Sequence, residues 1–248
     1  MGLKQDITDK VKDIINTNFT FEEVSYVPEM ANTKLTFANT GLKFEATVLY
    51  IDLRDSTKIL NKHNKTTIAK IHKAYLHTTV KIATSLGGEV RSFNGDSVLA
   101  FFQGTTKKTL SNAVRAAMKI RYMIANMDSG INNLLAQYAA VDFGIGLDDG
   151  KILCVKVGVG GDNNTKDLIW IGNAVNKAVI ISDQCKASDY IGISSYVYAN
   201  LEDDVKFGTQ KNAWTGQDEK VNMWKSYNIQ YNGELQTFYK TSWYWTVE

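Results

Sequence analysis

Cysteine is scarce in this sequence, and features that mark several other classes of protein are missing. Two cysteines in 248 residues are too few for a disulfide framework or a four-thiol zinc site, so both are expected to be ordinary thiols. No cluster of basic residues interleaved with aromatic ones stands out, and the formal charge is only +2, which argues against nucleic-acid binding. An apolar run of about 18 residues and the apolar segment of a signal peptide are also missing, so we expect a cytoplasmic protein without a membrane span.

The hydrophobic pattern predicts helices and hairpins around one core. The length favours one main domain with an appendage, and mixed helices and hairpins favour an α+β sandwich. Gly87 and Gly88 are expected to stop the longest helix. The expected helices cover about residues 3–16, 56–64, 66–86, 111–127 and 172–182, and the expected strands cover 46–52, 90–93, 97–102, 141–147, 152–157, 168–171, 191–194 and 238–246. The strands at 141–147 and 152–157 are expected to form a hairpin around Asp148-Asp149-Gly150.

Two short segments each place one acid beside a tight backbone turn. Asp52 closes an apolar run from Ala46 through Ile51, and Asp96 follows the turn Asn94-Gly95 between two strand-like runs. Both acids can therefore reach one edge of a sheet. Mg²⁺ in a phosphate site usually takes one or two protein carboxylates, and water and phosphate oxygens complete its shell. The two acids are therefore expected to hold two divalent cations, Mg²⁺ or Mn²⁺.

A predicted helix start follows the first acid. Asp55 and Ser56 lie where that helix begins, and the free N–H groups of its first turn, together with the helix dipole, attract phosphates. Taken singly, these residues are better explained as a strand end, a hairpin turn and an ordinary helix cap. Only their combination indicates a nucleotide site that contains metal ions.

Four segments in this order resemble the catalytic domain of the class III nucleotidyl cyclases. The resemblance covers roughly residues 46 to 194 and implies a ferredoxin-like α+β domain, with an antiparallel-rich sheet and flanking helices. It also implies a head-to-tail homodimer in which each nucleotide lies between the protomers. The four segments are Tyr50-Ile51-Asp52-Leu53-Arg54-Asp55-Ser56-Thr57, Gly87-Gly88-Glu89-Val90-Arg91-Ser92-Phe93-Asn94-Gly95-Asp96, Phe143-Gly144-Ile145-Gly146-Leu147 and Trp170-Ile171-Gly172-Asn173-Ala174-Val175-Asn176.

The resemblance assigns roles to individual residues. Asp52 and Asp96 match the two metal-binding aspartates, and Leu53 would add a backbone carbonyl to a metal. Asn176 matches the asparagine that positions the ribose from the partner subunit. Phosphates would be held through the N–H groups of the turn formed by Arg54, Asp55, Ser56 and Thr57. The implied reaction is attack of the ribose 3′ oxygen on the α-phosphorus, which releases pyrophosphate and leaves a 3′,5′-cyclic nucleotide.

Two departures from this family bear on the base. Adenylate cyclases of this class have a lysine four residues before the second metal aspartate, and an aspartate or threonine seven before the ribose asparagine. Here those positions are Ser92 and Ile169, which cannot read adenine in the same way. The glutamate and cysteine of guanylate cyclases are missing too.

The segment around the first aspartate instead resembles the pyrimidine cyclases of bacterial Pycsar anti-phage systems. The resemblance rests on Tyr50 ahead of the Asp-Leu-Arg-Asp-Ser-Thr turn and on Arg91 in the following hairpin. It implies UTP or CTP as substrate and a separate effector that detects the cyclic product. Tyr50 should share the face of Asp52 and shorten the base pocket, and Arg91 offers a donor to a carbonyl. The alternative is that Tyr50 packs in the core and Arg91, one residue away from the lysine position, lies in solvent.

A further departure concerns the transition state. The arginine expected four residues after the ribose asparagine is replaced by Ile180, and Asp142 stands where a phosphate-binding arginine is common. Lys177, Arg54 or an arginine of the partner could substitute, but the spacing selects none of them. Loss of one such donor costs on the order of 10² to 10³ in rate.

These observations predict three segments and leave several functions open. We expect an N-terminal helix and lead-in at 1–45, a nucleotide cyclase domain at 46–199, and an aromatic-rich extension at 200–248 that packs on the core or on a subunit interface. The leading hypothesis is an active pyrimidine nucleotide cyclase that makes an antiviral second messenger. The alternatives are an adenylate cyclase with an atypical base pocket, a catalytically silent nucleotide-binding module, and a purely structural dimerisation domain.

Overall fold

The computed structural model describes residues 2–56, 61–138, 141–159 and 164–248. The helices are α1 (Leu3–Asn16), α2 (Lys65–Ser85), α3 (Lys107–Ala125), α4 (Ile131–Ala136), α5 (Asn173–Asp183), α6 (Ser195–Ala199) and α7 (Asp203–Lys206), and a 3₁₀ turn covers Met127–Ser129. The strands are β1 (Thr20–Glu23), β2 (Thr40–Arg54), β3 (Gly88–Asn94), β4 (Ser97–Gln103), β5 (Asp142–Gly158), β6 (Lys166–Ile171), β7 (Ile191–Ser194), β8 (Phe207–Lys211), β9 (Asp218–Asn222), β10 (Lys225–Tyr231) and β11 (Glu234–Thr241).

One mixed sheet organises the molecule. Its order is β10-β11-β7-β5-β2-β4-β3, with β1 added in parallel to β2 and β6 added to β5, while β8 and β9 form a separate ribbon. Most neighbours are antiparallel, and β5 and β7 are parallel. This arrangement of a sheet with flanking helices confirms the predicted α+β class.

The two faces of the sheet carry separate cores. On one face, α2 and α3 pack over alternate residues of β2, among them Leu49 and Ile51. On the other, α5 and the segment after β1 cover the intervening residues, among them Phe44 and Val48. Because successive side chains of a strand point to opposite faces, Asp52 lies on the α5 face.

The predicted long helix is confirmed within one residue at each end. The side chain of Asn64 accepts a hydrogen bond from the N–H of Thr67 and caps α2. Gly87 has φ +89° just beyond the last turn, a conformation that favours glycine and ends a helix. Among the described residues, no helix has both the length and the apolar character needed to cross a bilayer.

The hairpin predicted around Asp148-Asp149-Gly150 is wrong, because β5 runs straight through these residues. β2 pairs with β5 from Gly41 to Arg54 without a break. The two acids point to opposite faces, where Asp149 accepts a hydrogen bond from Thr47 Oγ1 at 2.8 Å and Asp148 lies 3.9 Å from Lys177 Nζ. Partners in the neighbouring strand and helix therefore allow a turn-like sequence to remain extended.

The ends of the chain join the main sheet. β2 begins at Thr40, so the boundary expected at residue 45 falls within this strand. β11 pairs with β7, and β10 continues the sheet beyond it. Trp224 is buried and its Nε1 donates to the carbonyl of Val205 at 2.9 Å, whereas Trp214 at the tip of the β8–β9 ribbon is 97% exposed.

Candidate functional site

The two predicted metal-binding acids lie at the same end of the sheet. Asp52 is near the end of β2, opposite Gly144. Asp96 lies in the tight turn that joins β3 to β4, and β4 pairs with β2 up to Val98. Burial raises the pKa of Asp52, and the nearby charge of Asp96 raises it further, whereas Arg54 opposes this shift. The acids, together with the turn that follows β2, are called the strand-end site below.

Asp96 is incompletely satisfied in this environment. Its Oδ2 is buried and has no hydrogen-bond partner among the described residues. Buried carboxylate oxygens are normally paired or coordinate a cation. Two neighbouring carboxylates that repel each other, one with an unpartnered oxygen, therefore suit a divalent cation. No cluster of three or more His, Cys, Asp or Glu side chains occurs in the part of the chain that the structure describes, so water and phosphate oxygens would complete the coordination.

Arg54 connects the strand-end site to the last turn of α5. Its Nε donates to the carbonyl of Cys185 at 3.0 Å, and its Nη2 donates to both the carbonyl and the hydroxyl of Ser182. Its Nη1 lies 3.3 Å from Asp52 Oδ2 and 3.7 Å from Asp183 Oδ1. The guanidinium is thus held by protein groups, which leaves the backbone N–H as the phosphate donor expected from this residue.

The predicted phosphate turn starts at an unusual backbone conformation. Asp55 has φ +53°, a left-handed conformation that costs energy for a residue other than glycine and that clusters at functional sites. Ser56 follows as a helical residue. Leu53 is buried and pairs with Phe143, and Thr57 lies outside the described residues. The left-handed residue thus lies three positions after Asp52.

Two of the four predicted base-pocket residues lie in one row across the sheet. A bulge between Val90 and Ser92 shifts the register of β3, so Ser92 pairs with Leu99 and Leu99 pairs with Tyr50. Directly paired residues share a face, so Ser92 and Tyr50 line the face of Asp52. Burial raises the pKa of the Tyr50 phenol, and a hydrogen bond with the Ser97 side chain partly offsets this. Tyr50 thus shares a face with Asp52 and also packs against the apolar core on that face.

Arg91 is tied to the segment after β1. Its Nε donates to the carbonyl of Pro28 at 2.8 Å, its Nη2 donates to the carbonyl of Val27 at 3.1 Å, and it forms an ion pair with Glu89. Because the bulge in β3 lies between Val90 and Ser92, faces do not alternate strictly there, and the distance of one residue from the lysine position does not decide which face Arg91 takes. The guanidinium instead fixes the lead-in segment to the edge of the sheet.

The glycines of Phe143-Gly144-Ile145-Gly146 allow α5 to lie directly on β5. A Cβ at Gly144 would collide with the carbonyl of Ser182, and one at Gly146 with that of Ala178. α5 therefore runs antiparallel to β5, with its last turn beside Arg54. Asn176 lies six residues before Ser182, about 9 Å away along the helix axis, and its side chain is exposed. Asn176, Lys177 and Ile180 are called the helix-face site below.

The other members of the helix-face site are engaged by the C-terminal strands. Lys177 Nζ lies 3.9 Å from Asp148 Oδ2 and 5.0 Å from the ring centre of Tyr231. Ile180 packs against a small apolar cluster that includes Ile229 and Phe238. An apolar side chain at position 180 thus suits the hairpin that covers it, which accounts for the absence of an arginine there.

Neither Asp142 nor Ile169 contributes to the strand-end site. Asp142 has a structural role, and Ile169 lies far from the site. Asp142 Oδ1 accepts hydrogen bonds from the N–H groups of Phe143 and Ala187, both at 2.8 Å. Ile169 is 41% exposed and pairs with Val155, which is eleven residues along β5 from Gly144. At about 3.3 Å per residue this is on the order of 35 Å. Within one chain, Ile169 and Asp52 do not meet.

Sequence reasoning missed several residues that support the site. Ser182, Asp183 and Cys185 hold Arg54, and nothing in their spacing indicated this. Tyr75 on α2 was also missed, although a phenol within an apolar stripe was a visible signal. It is completely buried, its hydroxyl has no hydrogen-bond partner among the described residues, and Asp52 and Asp96 both act on its pKa.

The known proteins to which this chain is similar are nucleotide cyclases. The chain is 32% identical to the uridylate cyclase of Xanthomonas perforans and 28% identical to that of Burkholderia cepacia, in both cases over the full length of both chains. Among solved structures, the guanylyl cyclase Cya2 superimposes with a TM-score of 0.64 at 18% identity, covering 82% of this chain and 94% of that one. The adenylyl cyclase CyaB from P. aeruginosa gives 0.63 at 21% identity, covering 81% and 95%. No protein-family model matches the chain.

Proposed function

The chain belongs to the uridylate cyclase family of class III nucleotide cyclases, and from this premise we propose that it converts UTP to 3′,5′-cyclic UMP and pyrophosphate. The observation that carries the proposal is the strand-end site. Asp52 and Asp96 lie together there, and Asp96 has a buried oxygen without a partner. A metal-dependent reaction at a triphosphate is what this arrangement suits best.

Two divalent cations, Mg²⁺ or Mn²⁺, would be held by Asp52 and Asp96 with the carbonyl of Leu53. When bound, such cations lower the pKa of the attacking hydroxyl and stabilise charge on the phosphates. The protein itself binds and orients the substrate. The N–H groups of Asp55 and Ser56, which lie after the end of β2, would bind the phosphates. Arg54 holds Asp52 in place through α5.

The proposed base pocket is the row formed by Tyr50 and Ser92. Tyr50 occupies the face of Asp52, where its ring shortens the space for a base, which favours a pyrimidine over a purine. Arg91, expected to read the base, is held by the lead-in segment. It is therefore proposed to position the β3 bulge that carries Ser92.

The active site is proposed to form between two copies of the chain. Within one protomer Asn176 is exposed on α5, and Ile169 lies far along β5 from Asp52. A head-to-tail homodimer would bring the helix-face site of one subunit to the strand-end site of the other, so that Asn176 orients the ribose 3′ hydroxyl toward the α-phosphorus. Lys177 is the candidate charge stabiliser, provided that its pairing with Asp148 is released.

The test is to incubate the purified protein with each of the four NTPs and Mn²⁺ and to identify the products. We expect cyclic UMP as the main product and no product from an Asp96→Asn variant. Cyclic CMP as the main product would change the assigned substrate from UTP to CTP. A clear preference for ATP or GTP would refute the pyrimidine assignment.

A second candidate is a nucleotide-binding module without turnover. The packing of Ile180 under the C-terminal hairpin favours it, since the family arginine at this position is missing. Calorimetry with UTP and Ca²⁺ would detect binding in either case. Binding without any cyclic product in Mg²⁺ or Mn²⁺ would establish the module, and product that is lost in Asp52→Asn would exclude it.

In the cell, the cyclic product is proposed to act as an antiviral second messenger on a separate effector in the cytoplasm. The support is the resemblance of residues 50–57 to pyrimidine cyclases of anti-phage systems. Bacteria that carry this chain and its genomic neighbours should resist phage infection, and Asp96→Asn should abolish resistance. Equal plaque counts with both versions would contradict the role.

A further inference from the structure

Helix α1 presents an apolar stripe that the described part of the chain leaves uncovered. None of the residues of α1 is buried. Spacings of three and four residues place the members of the stripe on one side of the helix, and they are 47–76% exposed: Leu3, Ile7, Val11 and Ile14. A helix of 14 residues is marginal in water unless its apolar side is packed. The stripe therefore requires a partner surface.

A sheet face of matching character lies next to the start of β1. Two adjacent rows of directly paired residues form this face, which we call the outer sheet face: Phe21-Gly41-Val155-Ile169 and Glu23-Lys43-Leu153-Ile171. Paired residues share a face, and Phe21, Ile169 and Ile171 are 41–55% exposed. Gly41 and Asp52 are eleven positions apart on β2, so the outer sheet face lies on the side of the sheet opposite Asp52.

The link to β1 holds α1 in a fixed direction. Nδ2 of Asn39 donates to the carbonyl of Ile14 at 2.7 Å and to that of Thr17 at 2.8 Å. α1 could not turn back over the outer sheet face of its own chain without breaking these bonds. An open groove of about 630 Å³ lies between the last turn of α1 and β5, with Ile15 and Val155 among its lining residues. The groove leaves room for a helix from another chain.

Charge indicates the kind of partner. The polar side chains of α1 include equal numbers of cations and anions: Lys4, Lys10, Lys12, Asp6, Asp9 and Asp13. A helix that binds an anionic membrane is instead rich in lysine and arginine. The outer sheet face is balanced as well, since Lys43 Nζ lies 3.6 Å from Glu23 Oε1. An apolar protein surface without net charge therefore suits both partners better than a membrane does.

We propose that two copies of the chain exchange their α1 helices, so that the apolar stripe of each α1 packs on the outer sheet face of the other copy. Each copy carries both the stripe and the face, so an exchange about a two-fold axis covers all four surfaces and closes the assembly. The contact lies opposite Asp52 and needs no nucleotide or metal. It therefore goes beyond the proposed reaction, and its test needs no substrate.

The test joins α1 of one copy to the outer sheet face of another with a short bismaleimide cross-linker. Ile7→Cys protein is mixed with Ile171→Cys protein and allowed to exchange subunits, and linked peptides are identified by mass spectrometry. Burial raises the pKa of the native thiols of Cys154 and Cys185 to about 12. Both react slowly because the thiolate is the nucleophile. Asp9→Cys, on the opposite side of α1, is the matched control for Ile7→Cys.

We expect a link between residues 7 and 171 of different chains. Its yield should be at least about tenfold lower with Asp9→Cys, because opposite sides of a helix are about 10 Å apart. Val11→Glu added to the Ile7→Cys chain should lower the yield about tenfold, since it places a charge in an apolar contact. Gln5→Glu adds the same charge on the other side of α1 and should leave the yield unchanged.

Two results would overturn the exchange. One is the absence of any link between chains, or an equal yield with Asp9→Cys. The other is a chain with both Ile7→Cys and Ile171→Cys that forms only a link within itself, which would show that α1 covers the sheet of its own chain. Because the altered side chains are exposed on the surface, the variants should fold like the wild type, and urea unfolding provides the check.

Discussion

The strand-end site and the helix-face site differ in how far the folded chain satisfies their polar groups. At the strand-end site, Asp96 Oδ2 is buried without a partner among the described residues, and Asp55 adopts a left-handed conformation. At the helix-face site, Lys177 faces Asp148 and Tyr231, and Ile180 packs under the C-terminal hairpin. The strand-end site therefore contains polar groups whose partners the chain does not supply. At the helix-face site, the side chains other than the exposed Asn176 have partners within the chain.

This difference indicates which of the two sites retains energetically unfavourable features that function requires. Unsatisfied buried polar groups and strained backbone cluster at functional sites, where binding or catalysis can use them. At the position of the family's transition-state arginine, Ile180 instead packs against apolar side chains. The largest effects of mutation on activity are therefore expected at the strand-end site, and effects on stability are expected at the helix-face site.

Removing a carboxylate from the strand-end site should have the largest effect. Asp52→Asn and Asp96→Asn are each expected to lower the rate of cyclic nucleotide formation by at least about 10³-fold, since a neutral amide cannot hold a divalent cation beside a triphosphate. Unfolding by urea should show that both variants remain folded. If either variant kept more than a tenth of the wild-type activity, the strand-end site would not be the site on which activity mainly depends.

Combining defects from the two sites tests whether they meet between subunits. Asn176→Ala alone should lower kcat on the order of 10²-fold by loosening the ribose. An equimolar mixture of Asn176→Ala and Asp52→Asn protein, allowed to exchange subunits, should recover roughly a quarter of wild-type activity, because half of the dimers carry one intact site out of two. The double variant in one chain is the control. No recovery despite verified exchange would place the complete site within one protomer.

Restoring the family arginine should damage stability rather than improve catalysis. Ile180→Arg is expected to lower the free energy of unfolding by about 1–3 kcal/mol, because a charge would replace an apolar side chain that packs against Ile229 and Phe238. Ile180→Val, with an expected loss of about 1 kcal/mol, is the matched control. The measurement is urea unfolding alongside kcat. A faster and equally stable Ile180→Arg enzyme would show that this position faces the reaction.

Strand β5 also carries a buried acid, Asp149, whose hydrogen bond from Thr47 does not offset the effect of burial on its pKa. Burial raises the pKa of Asp149 to about 6, although Thr47 donates a hydrogen bond to it. The folded state therefore holds the proton more tightly than the unfolded state, whose value is near 3.8. Stability should fall as the pH rises from about 4 to about 6 and then level off.

Asp149→Asn should flatten this profile and stabilise the protein at pH 8 by about 1–3 kcal/mol. Thermal unfolding across pH 4–8 provides the measurement. The neighbouring Asp148, whose pKa burial also raises, should leave part of the slope in place. An unchanged profile in Asp149→Asn would show that its carboxyl is effectively solvated.

Local patterns predicted most helices and strands but failed at Asp148-Asp149-Gly150. The long helix α2 and the Gly87 stop follow from periodicity and from the freedom of glycine at positive φ. The predicted turn failed because β2 offers a continuous ladder and because each acid finds a partner on its own face. Pairing over fourteen positions outweighs the turn preference of three residues.

By itself, the sequence determined the pair of acids, the positions of the glycines that admit α5 and the resemblance to nucleotide cyclases, because these are local patterns of residue type and spacing. Only the tertiary structure decided that a bulge aligns Ser92 with Tyr50, that Arg54 is held by the end of α5, and that Asp96 keeps a buried oxygen without a partner among the described residues. These facts depend on contacts between segments far apart in the chain. Such contacts leave no periodic trace, since burial and hydrogen bonding are set by which surfaces finally meet.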